Sequence, residues 1–213
     1  MRQALVGGGC GLRLPMGRCT IDNPLGGEAL PATLPAMKSR RHYDAGLSSE
    51  WYTPSEYVAA ARATMGGIDL DPASCLVANQ TIKAARFFDR TADGLQQQWH
   101  GRLWLNPPYS DYKGQAAAWA TKLLAEWQSG RVEQAVLLVN LSTAYQSAFQ
   151  AVARAGAVCM VNHRISFECA TGERDRPTQA NMLLYLGERR RQFAAECGRF
   201  GVVLEVVRDD TAI

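Results

Sequence analysis

Apolar segments typical of strands alternate with amphipathic segments typical of helices after residue 50, and this alternation constrains the fold most. The run 136–139 is continuously apolar, as expected of a strand buried on both faces. Residues 114–128 carry apolar side chains at helical spacing, and Gly130 ends this segment. Strands that alternate with helices form a mostly parallel sheet covered on both faces. Such sheets bind their ligands at the carboxyl ends of the strands.

The other predicted elements follow the same alternation. Thr53 is predicted to cap a first helix, with Pro54 in the first helical position and Glu56 completing a capping box. Gly66-Gly67 is predicted to end this helix. Two more helices are predicted at 75–85 and 144–155, and strands at 68–71, 86–88, 103–105, 158–161, 165–167, 182–186 and 202–207.

Residues 1–45 differ from the rest of the chain. Their Gly, Pro and Leu residues are scattered without helical or strand periodicity, which predicts a flexible N-terminal tail. A chain of 213 residues suits one domain plus such a tail. Residues 46–213 are therefore expected to form a single ordered domain.

Composition excludes several classes of protein. The net charge of +3 is too small to indicate nucleic-acid binding by itself and allows only a local basic patch. The six cysteines form no CxxC pair and only three histidines are present, so no metal site is expected. No apolar run is long enough to span a bilayer, and glycines interrupt the amino-terminal segment. These features predict a cytoplasmic protein.

The most informative motif is Asn106-Pro107-Pro108-Tyr109, which directly follows the apolar segment 103–105. Two prolines cannot continue a strand, because neither has an N–H to donate, and they fix a rigid turn with unpaired carbonyls. Those carbonyls and the side-chain oxygen of Asn106 can accept hydrogen bonds from an amino group, and Tyr109 offers a ring on which a base can stack. Without its position after a strand, such a motif could equally be a structural loop.

An exocyclic amine on a nucleic-acid base has a chemical problem that this turn can solve. The nitrogen is a poor nucleophile, since its lone pair is delocalised into the ring. Hydrogen-bond acceptors around its hydrogens favour a pyramidal nitrogen with a localised lone pair, and they match the positive charge that develops on it. The motif therefore indicates chemistry at an amino nitrogen that needs neither a covalent intermediate nor a strong base.

Residues 50–187 resemble the phage DNA N-6-adenine methyltransferases through several motifs in one order. These motifs are Glu50-Trp51-Tyr52-Thr53-Pro54, Ile68-Asp69-Leu70-Asp71-Pro72-Ala73-Ser74, Asp93-Gly94-Leu95, Trp104-Leu105-Asn106-Pro107-Pro108-Tyr109-Ser110, Asn140-Leu141-Ser142-Thr143, Arg164-Ile165-Ser166-Phe167 and Tyr185-Leu186-Gly187. The resemblance implies a site-specific transfer of a methyl group from S-adenosylmethionine to N6 of a flipped adenine. It also implies a Rossmann-like three-layer α/β sandwich, mostly parallel with an antiparallel portion, in which residues 46–213 form the methyltransferase domain.

The resemblance also implies cofactor-binding residues. Tyr52, Thr53 and Pro54 look like the element that touches the methionine end, where a helix N-terminus can attract a carboxylate. Asp71, with Pro72, Ala73 and Ser74, resembles the cofactor loop after the first strand. Asp93 resembles the acid that accepts from the adenine amino group of the cofactor.

The sequence leaves alternatives open for these acids. Asp69 competes with Asp71 for the cofactor ammonium, and Asp93 is equally a turn residue before Gly94. Asp89, just after the second strand, could hold ribose hydroxyls. The glycine-rich loop of many methyltransferases is missing, since Ala73-Ser74-Cys75 stands there. The segment between the second and third strands is also short, which predicts that one helix of the standard fold is absent.

The sequence predicts the DNA contacts less specifically than the cofactor-binding residues. The predicted partner is double-stranded DNA, from which the target adenine must be flipped, and stacking on Tyr109 would offset part of that cost. Arg164, Arg174, Arg176 and Gln179 lie in a polar, basic segment that could contact phosphates or base edges or could be a solvated loop. The protein is expected to be a monomer or a weak dimer in the cytoplasm of a bacterial host.

Other functions compete with this one. Similar motifs occur in enzymes that methylate RNA bases or a protein glutamine, although those usually carry the glycine-rich loop that is missing here. Cytosine N4 is a weaker alternative, because that class tends to have Ser where Asn106 stands. A catalytically inactive DNA-binding protein on the same fold is a further alternative. The intact motif and the presence of Asp71 and Asp93 argue against it.

Overall fold

The computed structural model describes residues 52–108, 115–168 and 179–206. The predicted tail at 1–45, Tyr109, Arg174 and Arg176 lie outside the described residues. The division of the chain into a tail and a domain of residues 46–213 therefore stays a prediction.

The described residues form one seven-stranded sheet and five α-helices, which alternate along the chain as predicted. In chain order they are α1 Ser55–Met65, β1 Leu70–Asp71, α2 Leu76–Ile82, β2 Arg86–Phe87, β3 Gly101–Leu105, α3 Gln115–Gln128, β4 Val132–Asn140, α4 Ser147–Ala155, β5 Ala157–Val161, β6 Asn181–Leu186, α5 Arg190–Cys197 and β7 Gly201–Glu205. Two 3-10 turns, Gly94–Gln96 and Leu141–Thr143, complete the described secondary structure. No α-helix lies between β2 and β3, as the short segment predicted.

The sheet has a parallel half and an antiparallel half. Its strand order is β2-β1-β3-β4-β6-β5-β7. The first four strands in this order pair in parallel, whereas β6 is inserted antiparallel between β4 and β5, and β7 is antiparallel to β5. This arrangement confirms the predicted α/β sandwich, mostly parallel with an antiparallel portion.

Helices cover both faces of the sheet and enclose two hydrophobic cores. Side chains of α1 and α5 pack on the face that carries Trp104, Val136 and Leu138. Side chains of α3 and α4 pack on the opposite face, which carries Leu105 and Leu137. Because successive residues of a strand point to opposite faces, β4 contributes to both cores, which explains its unbroken apolar run.

The predicted strand at 165–167 is wrong. Ile165 is buried in the core under α1, but these residues pair with no strand, and only Glu168 forms an isolated bridge, with Tyr52. Both edges of the nearby β5 are already occupied, by β6 and β7. A short apolar run therefore marks burial here without strand pairing.

The predicted capping box at the start of α1 is also wrong. The helix begins at Ser55, Pro54 is its N-cap, and no side chain caps it. The Thr53 hydroxyl instead accepts a hydrogen bond from a residue at the end of β3, as described below. The predicted end of α1 is confirmed, because Gly66 has a φ of 80° and donates its N–H to the carbonyl of Arg62.

Candidate active site at the carboxyl ends of the parallel strands

The strand order reverses at β1, which lies between β2 and β3. From β1 the chain crosses through α2 to β2 on one side, and it then returns to β3 on the other side. At such a switch point the loops leave the sheet in opposite directions and leave room for a ligand. Asp71 is the last residue of β1 and Asn106 directly follows β3, so both lie at this end, as predicted.

Asn106 is held with its oxygen free. Its Nδ2 donates to the Thr53 hydroxyl at 3.2 Å, and Thr53 is buried. The Oδ1 atom is buried and has no hydrogen-bond partner among the described residues. An unsatisfied buried acceptor is costly in a folded protein. This oxygen is therefore available to accept a hydrogen bond.

Asp71 is a buried acid without a cationic partner in the described part of the chain. Its side chain is 1 % exposed, and its Oδ1 accepts from the Ala73 N–H at 3.1 Å. Burial raises the pKa of this carboxyl to about 7, although the Ala73 N–H and the nearby Ser74 hydroxyl act to lower it. The buried Ser74 Oγ itself makes no hydrogen bond with any described residue.

Tyr52 and Thr53 connect the segment before α1 to two strand ends. The Tyr52 hydroxyl accepts from Cys75 Sγ at 3.9 Å, and Cys75 caps α2 by accepting from the Ala78 N–H at 3.4 Å. Thr53 bonds Asn106, as described above. The predicted cofactor element at 52–54 therefore lies against both the loop after β1 and the end of β3.

The turn that contains Asp93 lies against the same loop. A Cβ atom added to Gly94 would stand 1.9 Å from the carbonyl oxygen of Pro72, so only glycine allows this approach. Asp93 is exposed, has a φ of 47°, and accepts from the Leu95 N–H at 3.2 Å. Asp93 therefore stabilises the turn before Gly94, which is one of its two predicted roles. The contact of Gly94 with Pro72 keeps Asp93 near the loop after β1, where a ligand contact is also compatible.

The carboxylates of Asp69 and Asp89 have other hydrogen-bond partners than that of Asp71. Asp69 forms a two-pronged ion pair with Arg102, with distances of 2.8 and 2.7 Å, and this hydrogen bonding holds the pKa of Asp69 below its usual value. The exposed Asp89 uses one oxygen to accept from the N–H groups of Thr91 and Ala92. Of these three acids, only Asp71 is buried without a cation beside it in the described part of the chain.

The other predicted site residues that the structure describes also lie near this end of the sheet. Pro107 is buried and Pro108 is exposed, immediately after Asn106. Arg164 and Gln179 are exposed, on the segments that follow β5 and precede β6. Their exposure is compatible with DNA contacts and equally with a solvated loop.

One polar pair at this end was not predicted as part of the site. Asn181 Nδ2 donates to Asn140 Oδ1 at 3.1 Å across β4 and β6. Asn140 was visible in the sequence only as part of a motif that resembles the family. A polar residue that ends the apolar run 136–139 was the available signal, but its partner depends on the antiparallel register.

Other types of site find no support in the described residues. No group of three or more His, Cys, Asp or Glu side chains there is arranged to hold a metal ion. None of the described helices has the length and apolar character needed to cross a bilayer. Two open surface cavities of about 360 and 320 Å³ lie beside α1 and β2, and neither is lined by Asp71 or Asn106. Neither cavity therefore coincides with the predicted site.

Fold and site together define a class. The seven-stranded sheet, parallel and then antiparallel and covered by helices on both faces, is consistent with a Rossmann-like methyltransferase fold. More narrowly, the chain belongs to the DNA N-6-adenine-methyltransferase (Dam) family, whose model matches residues 42–208. No curated protein matches the chain.

Proposed function

We propose that this protein transfers a methyl group from S-adenosylmethionine to N6 of an adenine flipped out of double-stranded DNA. The observation that carries the proposal is the Asn106 amide, whose nitrogen bonds Thr53 while its buried oxygen has no partner in the described chain. Membership of the DNA N-6-adenine-methyltransferase family supports DNA adenine as the substrate.

Asn106 would act on the target amine in two ways. Its Oδ1 accepts one N6 hydrogen and so holds the amine at the carboxyl end of β3. The same oxygen, aided by the carbonyl of the buried Pro107, favours a pyramidal nitrogen and stabilises its developing positive charge. Because Thr53 holds the amide nitrogen, the acceptor is oriented before the substrate arrives.

The chemistry of the residues around Asp71 fits the cofactor. When bound, S-adenosylmethionine supplies an electrophilic methyl group on a sulfonium centre. The Asp71 carboxylate, buried without a countercharge, would accept from the ammonium of the methionine end. Ser74 has an unpaired hydroxyl for a further polar contact. Tyr52, Thr53 and Pro54 would contact the methionine end, and Asp93 the cofactor adenine.

The proposed DNA contacts come from side chains around Asn106 and at the carboxyl ends of the strands. Tyr109, which follows Pro108, would stack on the flipped base, an interaction worth about 1–3 kcal/mol per base. The exposed Arg164 and Gln179 would contact phosphates or base edges together with Arg174 and Arg176. We further propose a monomer or weak dimer that works in the cytoplasm of a phage host.

The test is to identify the methylated atom. The protein is incubated with S-adenosylmethionine labelled in its methyl group and with unmethylated DNA, which is then digested to nucleosides. We expect the label in N6-methyladenine, labelling slowed by about 10²–10³-fold with Asn106→Ala, and normal labelling with Gln150→Ala, which removes an exposed amide on α4. RNA and protein are offered as substrates in parallel reactions. Label in an RNA base or in a protein glutamine would contradict the proposal and identify the other substrate. Failure to bind the cofactor would favour an inactive DNA-binding protein.

A further inference from the structure

Asn140, at the carboxyl end of β4, presents a free hydrogen-bond donor. It is the last residue of β4, is half-buried, and lies opposite Asn181, the first residue of β6. Asn181 Nδ2 donates to Asn140 Oδ1 at 3.1 Å, which occupies the acceptor of the Asn140 amide. Within the described residues, no group accepts from Asn140 Nδ2. The free end of this amide is therefore its nitrogen.

Asn181 is an unusual residue for the position it occupies. It is 1 % exposed, and its Oδ1 is buried without a partner in the described ranges. An apolar side chain there would avoid the cost of an unsatisfied amide. At this cost, the hydrogen bond from Asn181 holds the Asn140 amide in one orientation.

Asn140 and Asn106 lie on the same face of neighbouring strands. Trp104 and Leu138, which stand two residues earlier on β3 and β4, both pack in the core under α1, so alternation directs both asparagines to that side. Leu105 lies opposite Leu137, which sets Asn140 one strand across and two residues beyond Asn106. Strand spacing and rise give a Cα separation of roughly 8 Å.

We propose that Asn140 reads the target base by donating from Nδ2 to ring atom N1 of adenine, while Asn106 accepts from N6. This inference rests on the proposed function. A free acceptor and a free donor on adjacent strands complement adenine, whose Watson–Crick edge has an N6 donor beside an N1 acceptor. Guanine has the opposite pattern, O6 beside N1–H, and would meet two mismatches. Asn181 is a positioning residue that keeps the Asn140 nitrogen turned toward the base.

The test couples a change in the enzyme to a change in the base. Oligonucleotides carry the methylation site mapped with the wild type, with adenine or 1-deazaadenine at the target, and kcat/KM is measured. We expect Asn140→Ala to lower kcat/KM about tenfold on adenine DNA, as for one lost hydrogen bond, and less than about twofold on 1-deazaadenine DNA. Gln150→Ala serves as the control and should change neither value.

The positioning role of Asn181 has its own readout. Asn181→Ala should also lower kcat/KM on adenine DNA and not on the 1-deaza substrate. The double variant Asn140→Ala/Asn181→Ala should be no worse than Asn140→Ala alone. A purely structural Asn181 would instead reduce activity on both substrates, and its effect would add to that of Asn140→Ala, which would overturn the assignment.

A binding measurement on the wild type keeps the test decisive if a variant does not fold. With S-adenosylhomocysteine present and the target placed opposite an abasic position, so that neither analogue is paired, Kd for 1-deazaadenine DNA should be about tenfold higher than Kd for 7-deazaadenine DNA, which retains N1. Equal Kd values, or equal discrimination by wild type and Asn140→Ala, would overturn this inference while N6 labelling still supports the proposed function. Absence of label in adenine would contradict the proposed function itself.

Discussion

The two ends of the parallel strands treat polar side chains in opposite ways. At the amino end, Asp69 is paired with Arg102, and the Tyr185 hydroxyl both donates to Gln134 and accepts from the Arg189 N–H. Toward the carboxyl end, four polar side-chain atoms are buried without a partner in the described chain: Ser74 Oγ, Trp104 Nε1, Asn106 Oδ1 and Asn181 Oδ1.

This difference separates stability from function within one sheet. Satisfied polar groups contribute modestly to folding, whereas unsatisfied buried groups cost about 1–3 kcal/mol each. Strained or unsatisfied groups persist at sites where a ligand completes them. We therefore expect substitutions at the amino end to lower stability modestly with little effect on activity, and substitutions of unsatisfied groups at the carboxyl end to lower activity without lowering stability.

The largest expected effect is at Asn106. Asn106→Ala should lower kcat for methyl transfer by about 10²–10³-fold, as expected for loss of one preorganised electrostatic contact. The free energy of unfolding should change by less than about 1 kcal/mol, because the lost bond to Thr53 is offset by removal of an unsatisfied oxygen. Initial rates and denaturant unfolding measure the two quantities.

Asn106→Asp is the matched variant for this prediction. It keeps an oxygen acceptor in place, and the Thr53 hydroxyl can donate to it, so it should retain more activity than Asn106→Ala. Equal losses in both variants would show that acceptor chemistry at this position is irrelevant, which would remove the contrast between the two ends.

The second prediction concerns the stability of the protein without ligand. Because the folded pKa of Asp71 is raised from 3.8 to about 7, the folded state binds its proton more tightly than the unfolded state. This group therefore favours folding most below about pH 4, and that contribution is lost as the pH rises through 7. Asp71→Asn should stabilise the protein at pH 8 by about 2–4 kcal/mol and have little effect at pH 4. Destabilisation by this variant at pH 8 would contradict a buried, unpaired carboxylate.

Sequence reasoning recovered the fold better than the contacts of the site. The strands β3 and β4 and the helix α3 follow from apolar periodicity, and position after a strand correctly located Asp71 and Asn106 at the carboxyl edge. The polar partners were not recoverable, because Asp69 meets Arg102 33 residues away and Asn140 meets Asn181 41 residues away. Such pairs depend on strand order and register, which local patterns do not encode. The roles of the site residues remain predictions.

Thr53 illustrates the same limit within a single residue. Its local sequence favours a helix cap, and a cap needs only neighbours along the chain. In the structure its hydroxyl instead contacts Asn106, 53 residues away. A tertiary contact therefore overrides a local preference at the residue where α1 meets the site.

A smaller effect is expected on cofactor affinity as the pH changes. Ionised Asp71 would attract the cofactor ammonium, and with a pKa of about 7 it is mostly neutral at pH 6 and mostly ionised at pH 8. Kd for S-adenosylmethionine should therefore fall about tenfold from pH 6 to pH 8 in the wild type. Asp71→Asn should bind more weakly and should lose this dependence. Calorimetry at pH 6 and pH 8 measures Kd for S-adenosylmethionine in both proteins. If Kd still falls with pH in Asp71→Asn, another group causes the dependence.

The smallest expected effect is at the opposite end, at Asp69. Hydrogen bonding to Arg102 lowers the pKa of Asp69, so its contribution to stability is present above pH 3.8 and lost as the pH falls further. The pair is about one-third exposed, so Asp69→Asn should cost less than about 1 kcal/mol at pH 7 and should leave methyl transfer unchanged. Unfolding at pH 7 and pH 3, with rates at pH 7, measures both. Asp69 and Asp71 stand only two residues apart, so this variant tests how sharply the two ends are separated. A large loss of activity would contradict the prediction and would mean that Asp69 also takes part in catalysis.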